Sequence, residues 1–318
     1  RAIDRAERCD DTEQLTRVLS LVGSLAFAGG DLMSAERHYR RAYRLLRRLP
    51  QDAGPASLVG NLGMLMHRLG RLDEATDYCR EALALHQASG NRRALGLAYG
   101  YLALIQLEKG RLGPARANYV QARAMHRQTG HRQGEAVAAG YIGLLHLMAA
   151  EHAEAEDAFA QAEGIAAELG DRQIEAYFLA YEAVLWTHRG SPSEAETCLQ
   201  NADKALSGLG DEAGEMVLAL CRGHLELHAV RAHRAAAEDE RAEAALQPIK
   251  ELIAVSSAPR SDGRPSLAAN SEDVRIAATL LGNQVTLLET PARSPFSASS
   301  GDEIRVEDTL VDLRIPGK

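Results

Sequence analysis

The chain has 318 residues, of which 46% are hydrophobic and only 4% aromatic, with a formal charge of −8. That is apolar material for a large core drawn mainly from Ala and Leu, which suits closely spaced helices better than strands. The acidic balance argues against a general nucleic-acid binder, and the longest apolar run, Ala136 to Ala150, is broken by His146 and too short to cross a bilayer.

In chain order, residues 1–11 align with the last turns of a second helix, as 84–90 do later. They are expected to be the remnant of a preceding repeat, which makes the chain a piece of a longer protein. Residues 12–255 then read as about six helical hairpins, because the sequence matches itself when shifted by 40 residues. Gly60, Gly100 and Gly140 coincide, with Ala180 next. Gly70, Gly110 and Gly190 form a second column in which Ala150 fills the gap. Ala75, Ala115, Ala155 and Ala195 form a third, and Ala82, Ala122, Ala162 and Ala202 a fourth. Gly90, Gly130, Gly170 and Gly210 close the units. An earlier unit fits after a two-residue deletion, with Gly23, Gly30, Ala35, Tyr39 and Ala42.

The first helix of each unit places a large apolar residue beside a small one, as in Val22-Gly23, Leu62-Gly63, Leu102-Ala103 and Ile142-Gly143. The small residue lets the partner helix approach, and a Gly then ends the helix in a left-handed turn. The second helix sets Ala75, Cys79 and Ala82, or Ala115, Tyr119 and Ala122, on one face. Phe159 and Leu199 share the large-residue column.

These columns resemble the tetratricopeptide repeat family, whose usual unit is 34 residues. The 40-residue unit looks like its long-repeat subclass, found in kinesin light chains, spindle-orientation adaptors and the sensor arms of bacterial signalling ATPases. The departures are a missing Trp at the start of the first helix and a missing Pro after the second. The resemblance covers about residues 12–230 and implies an all-α solenoid, a right-handed superhelix of helical hairpins. Gly214 to Val230 and Arg231 to Val255 make a degenerate last hairpin, polar enough to cap the stack. Residues 256–270 read as a linker and 271–290 as an extra helix capped by Ser271-Glu272-Asp273. Residues 291–318 read as a low-complexity or disordered tail, with strand-like alternation at Ile304, Val306, Leu310, Leu313 and Ile315.

Chemistry finds little purchase. No P-loop, H-E-x-x-H, G-x-S-x-G or dinucleotide glycine fingerprint occurs, and no carboxylate pair is expected to be buried together for acid–base work. Cys9, Cys79, Cys198 and Cys221 lie far apart and suggest buried thiols in a reducing, cytoplasmic setting. His224 and His228, with His233 nearby, are expected on an exposed helix face and not in a metal site. The run Arg37, Arg40, Arg41, Arg44, Arg47, Arg48 is expected on a solvated outer face. No catalytic residue, cofactor or metal is assigned.

In the family the first helices line the inner face of the superhelix. The resemblance therefore implies a peptide-binding groove along Asn61, Tyr101, Tyr141 and Tyr181, one per unit. The next positions on the same stripe are Met64, Leu104 and Leu144, followed by His67. Gly60, Gly100 and Gly140 would let a bound backbone approach. Tyr suits such a surface through contact area and a hydrogen-bonding tip, although the same residues also suit packing between adjacent helices. The expected function is a non-enzymatic scaffold that binds a protein or peptide, neither nucleic acid nor membrane, as the C-terminal arm of a larger bacterial signalling protein. The alternative is a ligand-sensing arm that switches an attached ATPase, kinase or DNA-binding domain.

Overall fold

The computed structural model describes residues 11–49, 56–236, 238–257 and 271–289. Among them are thirteen helices and no strand. The remnant expected before residue 11, the linker over 258–270 and the tail after residue 290 lie outside the described residues. The chain divides after Glu135 into two compact units.

The first unit holds α1 (Thr12–Ala28), α2 (Leu32–Leu46), α3 (Ala56–Arg68), α4 (Leu72–Ala88), α5 (Arg92–Glu108) and α6 (Leu112–Gln128). They pair as α1–α2, α3–α4 and α5–α6, and each pair stacks on the next. α7 (Arg132–Met148) crosses the division. The second unit continues with α8 (His152–Leu169), α9 (Arg172–His188), α10 (Pro192–Leu206), α11 (Glu212–Ala235), α12 (Asp239–Ser257) and α13 (Glu272–Glu289). Here α9 packs against α8, α10 and α11, and α12 against α11. Both units are stacks of hairpins of the helical-repeat solenoid type.

The 40-residue columns have direct physical counterparts. Asp11, Asp31, Asn91 and Asp171 each accept a hydrogen bond from the main-chain N–H three residues on, an N-cap that satisfies a donor the helix leaves free. At the other end, the N–H of Gly70 donates to the His67 carbonyl and that of Arg71 to the Met66 carbonyl. This is the six-to-one, five-to-two bonding that needs a left-handed residue. Gly70 has φ 73° for that reason, and Ala150, with φ 57°, holds the same conformation with a side chain in the way.

The small–large pairs close each hairpin. A Cβ at Gly23 would lie 2.6 Å from the Tyr39 ring, one at Gly63 2.7 Å from Cys79 Sγ, and one at Gly143 2.7 Å from the Phe159 ring. All three large partners are almost fully buried. The helix-forming Ala columns are buried too, with Ala75, Ala115, Ala155 and Ala195 at 0% exposure, so any larger side chain there would force the helices apart.

One boundary and one surface differ from what the sequence predicts. α11 runs on past Val230 to Ala235, because the Ala-rich segment there carries no stop signal. Its turn closes when the Glu238 N–H donates to the His233 carbonyl at 2.9 Å and Glu238 Oε2 meets His233 Nδ1 at 2.8 Å. The arginine run of α2 is partly engaged: Arg40 pairs with Glu36 and Glu74, and Arg47 with Glu81 on α4.

Candidate functional site

The groove expected from the sequence is a stripe on the first helix of each hairpin, at positions spaced four and three residues apart. In the first unit this stripe is Asn61 and Met64 on α3 and Tyr101 and Leu104 on α5, and the structure adds Leu97, one turn before Tyr101. Asn61, Met64 and Tyr101 are half-buried, Leu97 is 45% exposed, and Leu104 is buried. Asn61 Nδ2 donates to Ser24 Oγ at 3.3 Å, and that hydroxyl also accepts from Tyr39 Oη at 3.0 Å. His67 is buried, with Nε2 3.0 Å from Glu108 Oε2, so it ties α3 to α5.

In the second unit the same stripe is covered. Tyr141, Leu144, Tyr181 and Val184 are all buried. Tyr141 and Tyr181, forty residues apart on α7 and α9, converge on one residue of α13. Tyr141 Oη donates to the Asp273 carboxylate at 2.6 Å, a short charge-assisted bond, and Tyr181 Oη donates to the Asp273 carbonyl at 3.2 Å. Tyr177, one turn before Tyr181, has its hydroxyl pushed above the usual range by burial first, then by the negative charges of Asp273 and Asp211. Three tyrosines of the first-helix layer thus surround one acidic residue.

α13 begins against α7 and α9 at Asp273 and runs on along α11. It packs on α11 and α12 as well as reaching α7 and α9. Val274, Ile276, Ala277, Ala278, Leu281 and Val285 are buried, and of its described side chains only Thr286 is exposed. Leu281 sits over Gly223 of α11, where a Cβ would come within 2.7 Å of its methyl carbon. At the far end Arg231 donates to Gln284 Oε1 at 2.7 Å, and Arg234 donates to the Leu288 carbonyl. That places positive charge at the negative end of the helix dipole.

The sequence reading used Asp273 only as part of a helix cap and missed Gly223, Arg231 and Arg234 altogether. A 40-residue period carries no signal for an element outside the period. Gly140 also differs from its expected role: a Cβ there would fall inside the Phe178 ring, so this glycine seats a neighbouring helix and not a guest backbone. Gly100 has open space around it.

Two further expectations are corrected. A half-buried carboxylate pair does lie together: the Glu163 carboxyl is held up to about 8 by burial first, then by the charge of Glu182 and a hydrogen bond with it. Glu182 also accepts from Trp186 Nε1 at 3.3 Å and from Cys198 Sγ at 3.5 Å. His224 is not on an exposed face. It is buried with its ring 5.9 Å from that of His188, while His228 is exposed. Burial first, then the charges of His188 and Arg231, lower its imidazole to about 3. Among the described residues no group of three His, Cys, Asp or Glu side chains is placed to hold a metal ion. Cys79, Cys198 and Cys221 are unpaired and buried.

The family model for the tetratricopeptide repeat matches residues 54–128. Over that span the chain carries tetratricopeptide repeats. Among solved structures it is similar to BtubC (BKLC) from P. vanneervenii, at 20% identity over 66% of this chain and 89% of that one, with a TM-score of 0.57. It is also similar to aspartyl phosphate phosphatase F from Bacillus subtilis, at 12% identity, 78% and 73% coverage and a TM-score of 0.62. A third is the Rap conjugation gene regulator of the plasmid pLS20 in complex with the Phr* peptide, at 14% identity, 89% and 78% coverage and a TM-score of 0.53. At these identities the likeness shows the fold. No curated protein matches the sequence. No described helix is long and apolar enough to cross a membrane.

Proposed function

We propose that this chain is a scaffold that binds a protein or peptide segment along the first-helix stripe of its repeats, without catalysing a reaction. The observation that carries this reading is α13 itself: an amphipathic helix is seated on the stripe in the second unit, held by Tyr141 and Tyr181. The surface has the chemistry to take a segment of chain, with aliphatic seats between hydroxyl donors. In the first unit the equivalent stripe keeps Leu97 exposed and Asn61, Met64 and Tyr101 half-exposed, which supports a partner segment binding there. Large, rigid side chains with polar tips give contact area at low entropic cost. The similar fold of a plasmid regulator in complex with the Phr* peptide adds support.

The partner is a segment that offers aliphatic side chains to Leu97 and Met64 and polar groups to Asn61 and Tyr101. Affinity capture with the full chain should lose its partner when Leu97→Asp is combined with Tyr101→Ala, while the far-ultraviolet dichroism stays that of the parent. Capture undiminished in that double variant would overturn the assignment of the stripe. The chain would act through shape, its nearest-neighbour hairpins fixing the pitch of the stripe, as an arm of a larger signalling protein.

A further inference from the structure

We infer that α13 is a built-in, displaceable occupant of the second unit's stripe, and that this stripe accepts in trans a helix of the same chemistry: an acidic residue in its first turn followed by an aliphatic face. The inference rests on the proposed binding role of the stripe and adds which partner the second unit takes and how access to it is controlled.

Two observations set α13 apart from the helices it packs on. Its polar anchors are toward the two ends: tyrosine hydroxyls hold Asp273 at the start, and arginines hold Gln284 and the Leu288 carbonyl. Ends clamped by hydrogen bonds with an aliphatic middle are how a groove holds an amphipathic helix. Its sequence is also a poor helix former by itself. Gly282 lies in its interior, and Val274, Ile276, Thr279, Val285 and Thr286 are β-branched. Off its seat the segment loses order, so seating carries an ordering cost that a better helix former would not bear. A competing helix with the same acidic head and fewer β-branched residues therefore has an advantage per molecule.

Tethering works the other way. Residues 258–270 join α12 to α13, so the helix is a tethered occupant. A tethered segment meets its seat at a local concentration that can reach about a millimolar. A free copy of the helix at micromolar concentration should thus be held off by the wild-type chain and admitted once α13 is released.

The test uses the full chain and a fluorescein-labelled synthetic peptide of residues 271–290, followed by anisotropy, with hydrogen exchange reporting on α7 to α13. Leu281→Asp puts a charge over Gly223 and should release α13. Exchange should then quicken in 274–288 and stay slow in α7, α9 and α11, and the peptide should bind at least about tenfold more tightly than to wild type. Asp273→Ala, which spares the apolar seat, should produce a smaller gain in the same direction. A peptide carrying Asp273→Lys should bind the Leu281→Asp chain at least about tenfold more weakly than the native peptide.

Equal binding to wild type and Leu281→Asp would overturn the inference, as would failure of the native peptide to bind a chain whose α13 is released. Loss of protection throughout α7–α11 in both chain variants would make α13 an integral part of the fold, and would also overturn it. Each of these results leaves the first-unit stripe untouched, because that reading stands or falls on Leu97 and Tyr101.

Discussion

The hairpin contact at Gly143 permits a sharp test of the packing on which the repeat depends. Replacing Gly143 by Ala puts a methyl group 2.7 Å from one Phe159 ring carbon, 2.8 Å from the next and 3.2 Å from the Ala155 carbonyl oxygen. The ring cannot retreat: Phe159 is fully buried and stacked 6.4 Å from Phe178. Overpacking of this kind costs about 1–3 kcal/mol. Ala in a helix interior recovers roughly 0.5–1 kcal/mol relative to Gly, so Gly143→Ala should be destabilised by about 0–2.5 kcal/mol. Gly164 in α8 is the control, since it is exposed with nothing within 4 Å of a new Cβ. Gly164→Ala should gain the full propensity term of roughly 0.5–1 kcal/mol. Urea unfolding of the two variants, followed by dichroism, should separate their midpoints with Gly143→Ala the lower. If Gly143→Ala proved as stable as Gly164→Ala, close approach of the paired helices would not be what the small-residue column provides.

Three further outcomes follow from the same structure. Ala150→Gly should raise stability by about 1 kcal/mol, because it removes a left-handed alanine worth roughly 1–2 kcal/mol of strain, less the added freedom of the unfolded chain; thermal melts will show it. The Glu163 carboxyl is raised to about 8, so the folded chain holds a proton there that the unfolded chain releases near 4.5. Its contribution is therefore present below about 4.5 and lost as pH rises to 8, and Glu163→Gln should remove that decline and gain about 1–2 kcal/mol at pH 8 relative to the parent. His224, lowered to about 3, behaves in the opposite sense. Its contribution is complete above the unfolded value of 6.5 and drains away as pH falls toward 3, so His224→Leu should flatten the acid limb of a stability-against-pH curve measured between pH 7 and 4.

The sequence determined the repeat and the hairpin. A period of 40 residues, read from glycines and alanines, sufficed because each hairpin buries its small–large contacts locally and stacks on the next by the same rule. Gly23 against Tyr39, Gly63 against Cys79 and Gly143 against Phe159 were legible for that reason, as was the tyrosine column. What the tertiary structure decided is who meets that column. Asp273 lies 132 residues from Tyr141 and 92 from Tyr181, joined to them through a segment with no place in the period, and no local pattern encodes such a return. The pairing of half-buried Glu163 with Glu182 and the burial of His224 beside His188 were hidden for a related reason. Periodicity tells which face of a helix is apolar, but only three-dimensional stacking tells which polar side chains the neighbouring helices then enclose.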